Sequence, residues 1–306
     1  MISIVNIFLK KAFLIFSFTF FTGYFCLAQT QISAIQPVDN AKNVQTGVIR
    51  WNALADHQYD LYFGTSANPP VYKTDLQNGE EKPVILELSK KYYWKVVEKK
   101  EGKVLRTSKV FSFNTLPIQL NPKINYNALV DTRDYKVYWT VKIGEKEWFA
   151  QNLDFDLAGM SWYYDNNPQN SIYGKLYAGK ALTSNQKSIC PESWHIPAIE
   201  EWNELIGKSG DIKTVGKNLK DSSPMYWRTS NAARSNDSGM TVLPAGSRDS
   251  KPSFANLGKY AFFWTSTPDQ KVAGSFLSVD LGFMRDKVNN SSGDQNWSYS
   301  IRCVRD

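Results

Sequence analysis

After its first 28 residues the chain holds two histidines, His57 and His195, and two cysteines, Cys190 and Cys303. Nucleophilic catalysis needs a nucleophile, a base beside it and a group that orients the base. The sequence has no His-Glu-x-x-His pair, no Gly-x-Ser-x-Gly elbow and no Gly-x-x-x-x-Gly-Lys loop. His57 falls in a turn between strand-like segments and is expected to be solvated. His195 lies between Trp194 and Ile196, five residues after Cys190. With no second histidine nearby, its ring is expected to hydrogen-bond a loop at the start of a helix rather than act as a base. Asp154 and Asp156, with Asp165 in twelfth place, trace part of a calcium-loop outline. The fifth position is Ala158, which has no side-chain oxygen, and the twelfth is Asp rather than Glu. These residues point to no catalytic centre, no metal site and no cofactor.

The residues best suited to recognition are Trp162, Tyr163, Tyr164, Asp165, Asn166 and Asn167. Three adjacent rings lead into polar side chains in a loop. Stacking faces beside amide donors and acceptors suit a sugar or a peptide. Adjacent residues cannot all face one core, so at least one ring is expected at the surface. Trp227, Trp264 and Trp297 are assigned to the core.

Positioning such a loop requires a scaffold, and 306 residues suggest two domains. Residues 1–28 belong to neither. Lys10 and Lys11 precede an apolar run, Ala12 to Tyr24, and Cys26-Leu27-Ala28 closes it with small residues at the cleavage positions. This is the three-part pattern of a secretory signal peptide, cut after Ala28. The run is shorter than the ~20 apolar residues that span a bilayer, so the mature chain has no transmembrane segment. Phe25 before Cys26 disfavours lipidation. Cleavage would remove Lys10 and Lys11 and no acid, lowering the net charge from +7 to +5. No basic stripe suited to nucleic acid is visible. In an oxidising compartment, secreted, periplasmic or at the cell surface, Cys190 and Cys303 are expected to form one disulfide.

From residue 31 to 116 short strand-like runs alternate with turns. They include Gly47 to Trp51, Tyr59 to Phe63 closed by Gly64, Tyr92 to Val97, and Val110 to Thr115. Asn68-Pro69-Pro70, Asn78-Gly79 and Glu101-Gly102 punctuate them. This spacing predicts a β-sandwich. Trp51, the Tyr59 to Gly64 segment, Tyr92-Tyr93-Trp94-Lys95-Val96 and Phe111 to Thr115 resemble a fibronectin type III or immunoglobulin-like module. Leu86 and Tyr92 or Tyr93 would supply a tyrosine corner. Residues 117–129, with two prolines and no glycine, read as a linker.

From residue 130 to 306, strand-like segments persist at Tyr138 to Ile143, Trp148 to Leu153, Phe262 to Ser266 and Tyr299 to Val304, between long polar loops. Pro197 to Ile206 predicts a helix. Pro197 stands at its first turn, Glu200 and Glu201 follow, and Ile199, Trp202, Leu205 and Ile206 fall on one apolar face. Five separated motifs carry a second resemblance. They are Asp131-Thr132-Arg133-Asp134 running through Tyr138 and Gly144 to Trp148-Phe149-Ala150-Gln151-Asn152-Leu153; Cys190-Pro191-Glu192-Ser193-Trp194-His195-Ile196-Pro197; Leu243-Pro244-Ala245-Gly246; Phe263-Trp264-Thr265-Ser266-Thr267; and Ile301-Arg302-Cys303-Val304-Arg305-Asp306. In this order they resemble the Fibrobacter succinogenes major paralogous domain. Tyr135 and Ser193 stand where that family usually has Gly, and Phe149 where Met is common. Ser193 is expected to alter its turn.

That resemblance implies an exported bacterial domain with a C-type lectin-like fold and implies no activity. The sugar tripeptides of calcium-dependent lectins, Glu-Pro-Asn and Gln-Pro-Asp, are absent from the sequence. The expected architecture is mainly β, with an α+β C-terminal domain. The expected function is non-catalytic binding of a glycan or of an envelope or extracellular protein. Two alternatives stand beside it. One is an oxidoreductase or metal-dependent enzyme on the lectin-like fold, which would need free thiols. The other is a structural part of a surface assembly.

Overall fold

Strict alternation in Gln58–Gly64, with Tyr59, Leu61 and Phe63 inward, sets up the first half of the structure. The computed structural model describes residues 31–184, 186–228 and 234–306. The expectations for residues 1–28, including cleavage after Ala28 and the fate of Cys26, lie outside the described residues. Lys91–Lys100 pairs antiparallel with Gln58–Gly64 on one side, and with Phe111–Thr115 and Lys103–Thr107 on the other. Ala41–Val44 and Val71–Leu76 complete this six-stranded sheet. A second sheet is made by Ala34–Gln36, Ile49–Trp51 and Glu80–Glu81. The two sheets share one core, in which Trp51, Tyr59, Leu61, Trp94, Val96 and Phe113 are essentially inaccessible. Tyr92, not Tyr93, turns inward, and its hydroxyl accepts from the Glu87 backbone N–H at 3.1 Å.

His57 is not solvated. Its Nδ1 lies 2.5 Å from Glu98 Oε1, and Glu98 is fully buried beneath Arg106 and Tyr59. The carboxylate accepts from all three, and although burial pushes its pKa up, Arg106 and His57 bring it below the usual range.

The second half has three sheets. Val137–Ile143 lies between Tyr126–Val130 and Lys146–Phe149, and the last strand, Val304–Arg305, closes against Lys146–Phe149. Tyr260–Pro268, Phe276–Gly282 and Asn289–Gly293 form an antiparallel meander. The third sheet carries the candidate site. The predicted helix is Ile199–Ser209. Glu200 and Glu201 lie in its first turn and Lys208 in its last, each on the favourable side of the helix dipole. Gly210 ends it at φ 145°. Ile199, Trp202, Leu205 and Ile206 are all buried, with Trp202 against Trp148 and Phe263. Truncating a side chain such as Trp202 to Ala costs about 3–5 kcal/mol.

The segment read as a linker is packed. Ile118 is buried beside Leu116, Tyr226 and Leu243, and Tyr126–Val130 is a strand. The two halves also share hydrogen bonds. Gly47 N donates to Tyr135 O at 2.7 Å and Val137 N to Gln45 O at 3.0 Å, while Trp139 Nε1 donates to Leu86 O at 3.2 Å. Ile32–Asp306 accordingly forms one compact unit.

Tyr135 and Ser193 adopt φ 58° and 67°, the left-handed backbone that a glycine enters without steric cost. At both positions the side chain bears the strain of that backbone.

Candidate functional site

The third sheet runs in the order Ser161–Trp162, Leu176–Ala178, Ser298–Tyr299, Ser247–Arg248, Phe254–Ala255. Its strands are two or three residues long and come from distant parts of the sequence. Trp162 pairs with Leu176, while Arg248 pairs with Ser298 on one side and Phe254 on the other. Gly246 makes the entry to Arg248 possible. At φ 70° it passes so close to the neighbouring strand that a Cβ would lie 2.3 Å from Ala255 O.

Side chains from opposite ends of this sheet meet over one face. The Arg248 guanidinium carbon is 3.9 Å from the centre of the Trp162 ring, a stacking separation. The Tyr164 and Phe254 rings are 5.3 Å apart. All four residues are half-buried, so the expectation of a ring lying free at the surface is replaced by partly covered rings. The chain then leaves the sheet through a short 3-10 turn, Tyr164–Asn166. Asp165 and Asn166 adopt φ 56° and 54°. Short polar side chains tolerate this region better than most. Asn167 Oδ1 accepts from Gln169 N at 3.0 Å and starts the next turn, Pro168–Tyr173. Asp165, Asn166 and Asn167 are exposed.

Tyr163 has a different role. Its hydroxyl donates to Asp154 Oδ2 at 3.2 Å, and Lys175 Nζ lies 4.5 Å from its ring centre. Burial, then the nearby Asp154 charge, raises its pKa far above that of a free tyrosine. Asp154 is buried and its carboxyl is pushed up by burial, against the pull of Lys136, whose Nζ is 3.1 Å from Oδ2. Lys175, itself buried, pairs with Asp156 at 2.6 Å and holds that carboxyl below its ordinary pKa. Two acids of the calcium-loop outline are thus paired with lysines. Among the described residues no group of three or more His, Cys, Asp or Glu is placed to hold a metal ion. Tyr163 anchors the loop from below while Trp162 and Tyr164 face the surface cluster.

Cys190 and Cys303 form the expected disulfide, with Cα atoms 5.8 Å apart and both residues buried. Arg133 secures the same region. It pairs with Asp131 at 2.6 Å, donates to the carbonyls of Ser188, Ile189 and Cys190, and covers the Phe155 ring. His195 Nε2 lies 3.0 Å from Glu201 Oε1. Glu201 Oε2 also accepts from Ala198 N at 2.8 Å, so the ring faces the first turn of the helix. His195 borders a cleft of about 450 Å³ with Lys142, Glu145, Glu147, Ser193, Arg305 and Asp306. Of the tryptophans assigned to the core, Trp227 and Trp264 are buried, but Trp297 is only half-buried.

Sequence reasoning missed Arg248, Phe254 and Arg302. Arg302 is fully buried and faces no carboxylate. It donates to Asn152 Oδ1 at 2.7 Å and to the carbonyls of Phe149, Met240 and Thr241. Burial brings its pKa down to about 9. It ties the last motif of the chain to the first. Its N–H groups supply donors to four acceptors inside the core.

No curated protein and no solved structure matches the chain. A family profile described as the Fibrobacter succinogenes major domain matches residues 141–305, more than half of the chain. That span carries the disulfide, the buried helix and the surface cluster, and the chain belongs to the Fibrobacter succinogenes major domain family.

Proposed function

We propose that this is an exported, non-catalytic binding protein of the periplasm or cell surface that recognises a glycan through the face formed by Trp162, Tyr164, Arg248 and Phe254. The observation that carries this reading is the meeting of three aromatic rings and a guanidinium beside the exposed Asp165-Asn166-Asn167 edge. Rings offer flat apolar faces to sugar C–H groups, and the loop offers donors and acceptors to hydroxyls. Export rests on the Lys10-Lys11, apolar-run and Ala28 pattern.

The proposed architecture has a fibronectin type III-like sandwich at 31–116, a connecting segment at 117–129 and a C-type lectin-like domain at 130–306. The Tyr92 hydroxyl on the Glu87 N–H supports the first. Pairing of the last strand, Val304–Arg305, with Lys146–Phe149 near the start of the second half supports the last. The buried disulfide weighs against a thiol oxidoreductase.

The test is a screen of the purified protein, without residues 1–28, against immobilised bacterial and plant glycans and against envelope proteins. Saturable binding to a glycan is expected. Binding only to an envelope protein would move the ligand class. No binding to either would favour a structural part in a surface assembly.

A further inference from the structure

Arg248 stands apart from most arginines of the chain. Arg50, Arg106, Arg133, Arg285 and Arg305 each face a carboxylate. Arg302 is satisfied by carbonyls and an amide. Arg248 has no carboxylate and no hydrogen-bond acceptor among the described residues, and its Nε is buried without a partner. What holds it is the Trp162 ring at 3.9 Å and, more loosely, the Phe254 ring at 5.8 Å. A cation stacked on a ring keeps its N–H donors in its own plane, pointing away from that ring. An in-plane fork of this kind matches a carboxylate, which accepts two parallel hydrogen bonds from it. Leaving a half-buried guanidinium unpaired costs free energy that an arriving anion would recover.

We infer that the glycan is acidic: Arg248 receives the carboxylate of a uronic-acid unit, while Tyr164 and the Asp165-Asn166-Asn167 edge contact the rest of the sugar. This rests on the glycan reading above and narrows it to one chemical class. The stacked ring fixes the guanidinium before the ligand arrives, so little side-chain entropy is lost on binding. Asp165, also exposed, is free to accept from sugar hydroxyls.

The experiment compares binding of polygalacturonate, alginate, hyaluronate and polyglutamate with neutral galactan, at two salt concentrations, for the wild type, Arg248→Gln and Arg248→Lys. At least one acidic polymer is expected to bind more tightly than galactan, and less tightly at high salt. Arg248→Gln should weaken it roughly ten- to hundredfold, the range for one charge-assisted hydrogen-bonded contact. Arg248→Lys should recover only part, because the ammonium keeps the charge and loses the fork. Neither change strips a hydrogen-bond or ion-pair partner from another protein group, and both leave an aliphatic stem against Trp162, so melting curves should stay close to wild type. Equal binding of acidic and neutral polymers, unchanged by Arg248→Gln, overturns the inference and leaves the glycan reading standing. Failure to bind any of these polymers while another glycan binds does the same. Binding of polyglutamate in place of every polysaccharide overturns both and makes the ligand an acidic peptide.

Discussion

Removing the Cys190–Cys303 bond should unsettle more than its own surroundings. The two residues are 113 apart in sequence. In the chain-entropy treatment, closing a loop of that length removes unfolded-state freedom worth about 4.8 kcal/mol at 25 °C. Both cysteines are buried in a cluster with Phe149, Trp194, Ile301 and Tyr138, so the double variant Cys190→Ala/Cys303→Ala also loses packed sulfur there. Against a typical total stability of about 5–15 kcal/mol, this is a large share. At roughly 2–4 °C per kcal/mol for a unit of 150–250 residues, Tm should fall by about 10–20 °C. The sequence suggests that the first half, with no cysteine, would be spared. The structure argues otherwise, because Gln45, Gly47 and Leu86 are bonded to Tyr135, Val137 and Trp139 across the two halves. Loss of the bond should therefore lower the melting of both. Calorimetry of wild type and double variant, each with and without reductant, reads this directly. A double variant melting within about 2 °C of wild type would refute the entropic argument, and an unchanged transition for the first half would refute the coupling.

Three further outcomes follow from particular residues. Tyr163→Phe removes the donor to buried Asp154 and should cost about 1–2 kcal/mol in urea unfolding, with glycan binding unchanged. Ser193→Gly should stabilise by roughly 0.5–1 kcal/mol, because φ 67° then carries no Cβ strain, and the urea midpoint is again the readout. Burial raises the Asp221 carboxyl to about 6, above its unfolded value. The folded state then holds the extra proton between about pH 4 and 6, so stability falls as pH rises through that window. Asp221→Asn should stabilise the protein by about 1–3 kcal/mol at pH 8 and by little at pH 4, as compared in denaturant midpoints at the two pH values.

Local pattern revealed local structure. Period-two alternation located Gln58–Gly64, a run of aromatic and branched residues located Lys91–Lys100, and the apolar face of Ile199, Trp202, Leu205 and Ile206 located the helix with its buried side. The disulfide was legible because two cysteines remain after residue 28. The site was legible only in part. Trp162 to Asn167 is one contiguous segment, but Arg248 and Phe254 join it through strands of two or three residues, too short to leave a periodic signal. Their pairing is set by tertiary structure, and nothing at position 248 announces position 162. Tyr163 looked like its neighbours in sequence, and only the buried Asp154 beneath it separates its role from theirs. The burial of His57 is invisible in sequence for the same reason, since Glu98 lies 41 residues away.

The proposed glycan face rests on Trp162 and Tyr164. Its most direct test measures glycan binding by the double variant Trp162→Ala/Tyr164→Ala, with a melting curve of the same sample. A loss of tenfold or more is expected, about 1.4 kcal/mol or greater, with a Tm within a few degrees of wild type. Wild-type affinity in a folded variant would contradict it, and collapse of the fold would show that these rings serve the core instead.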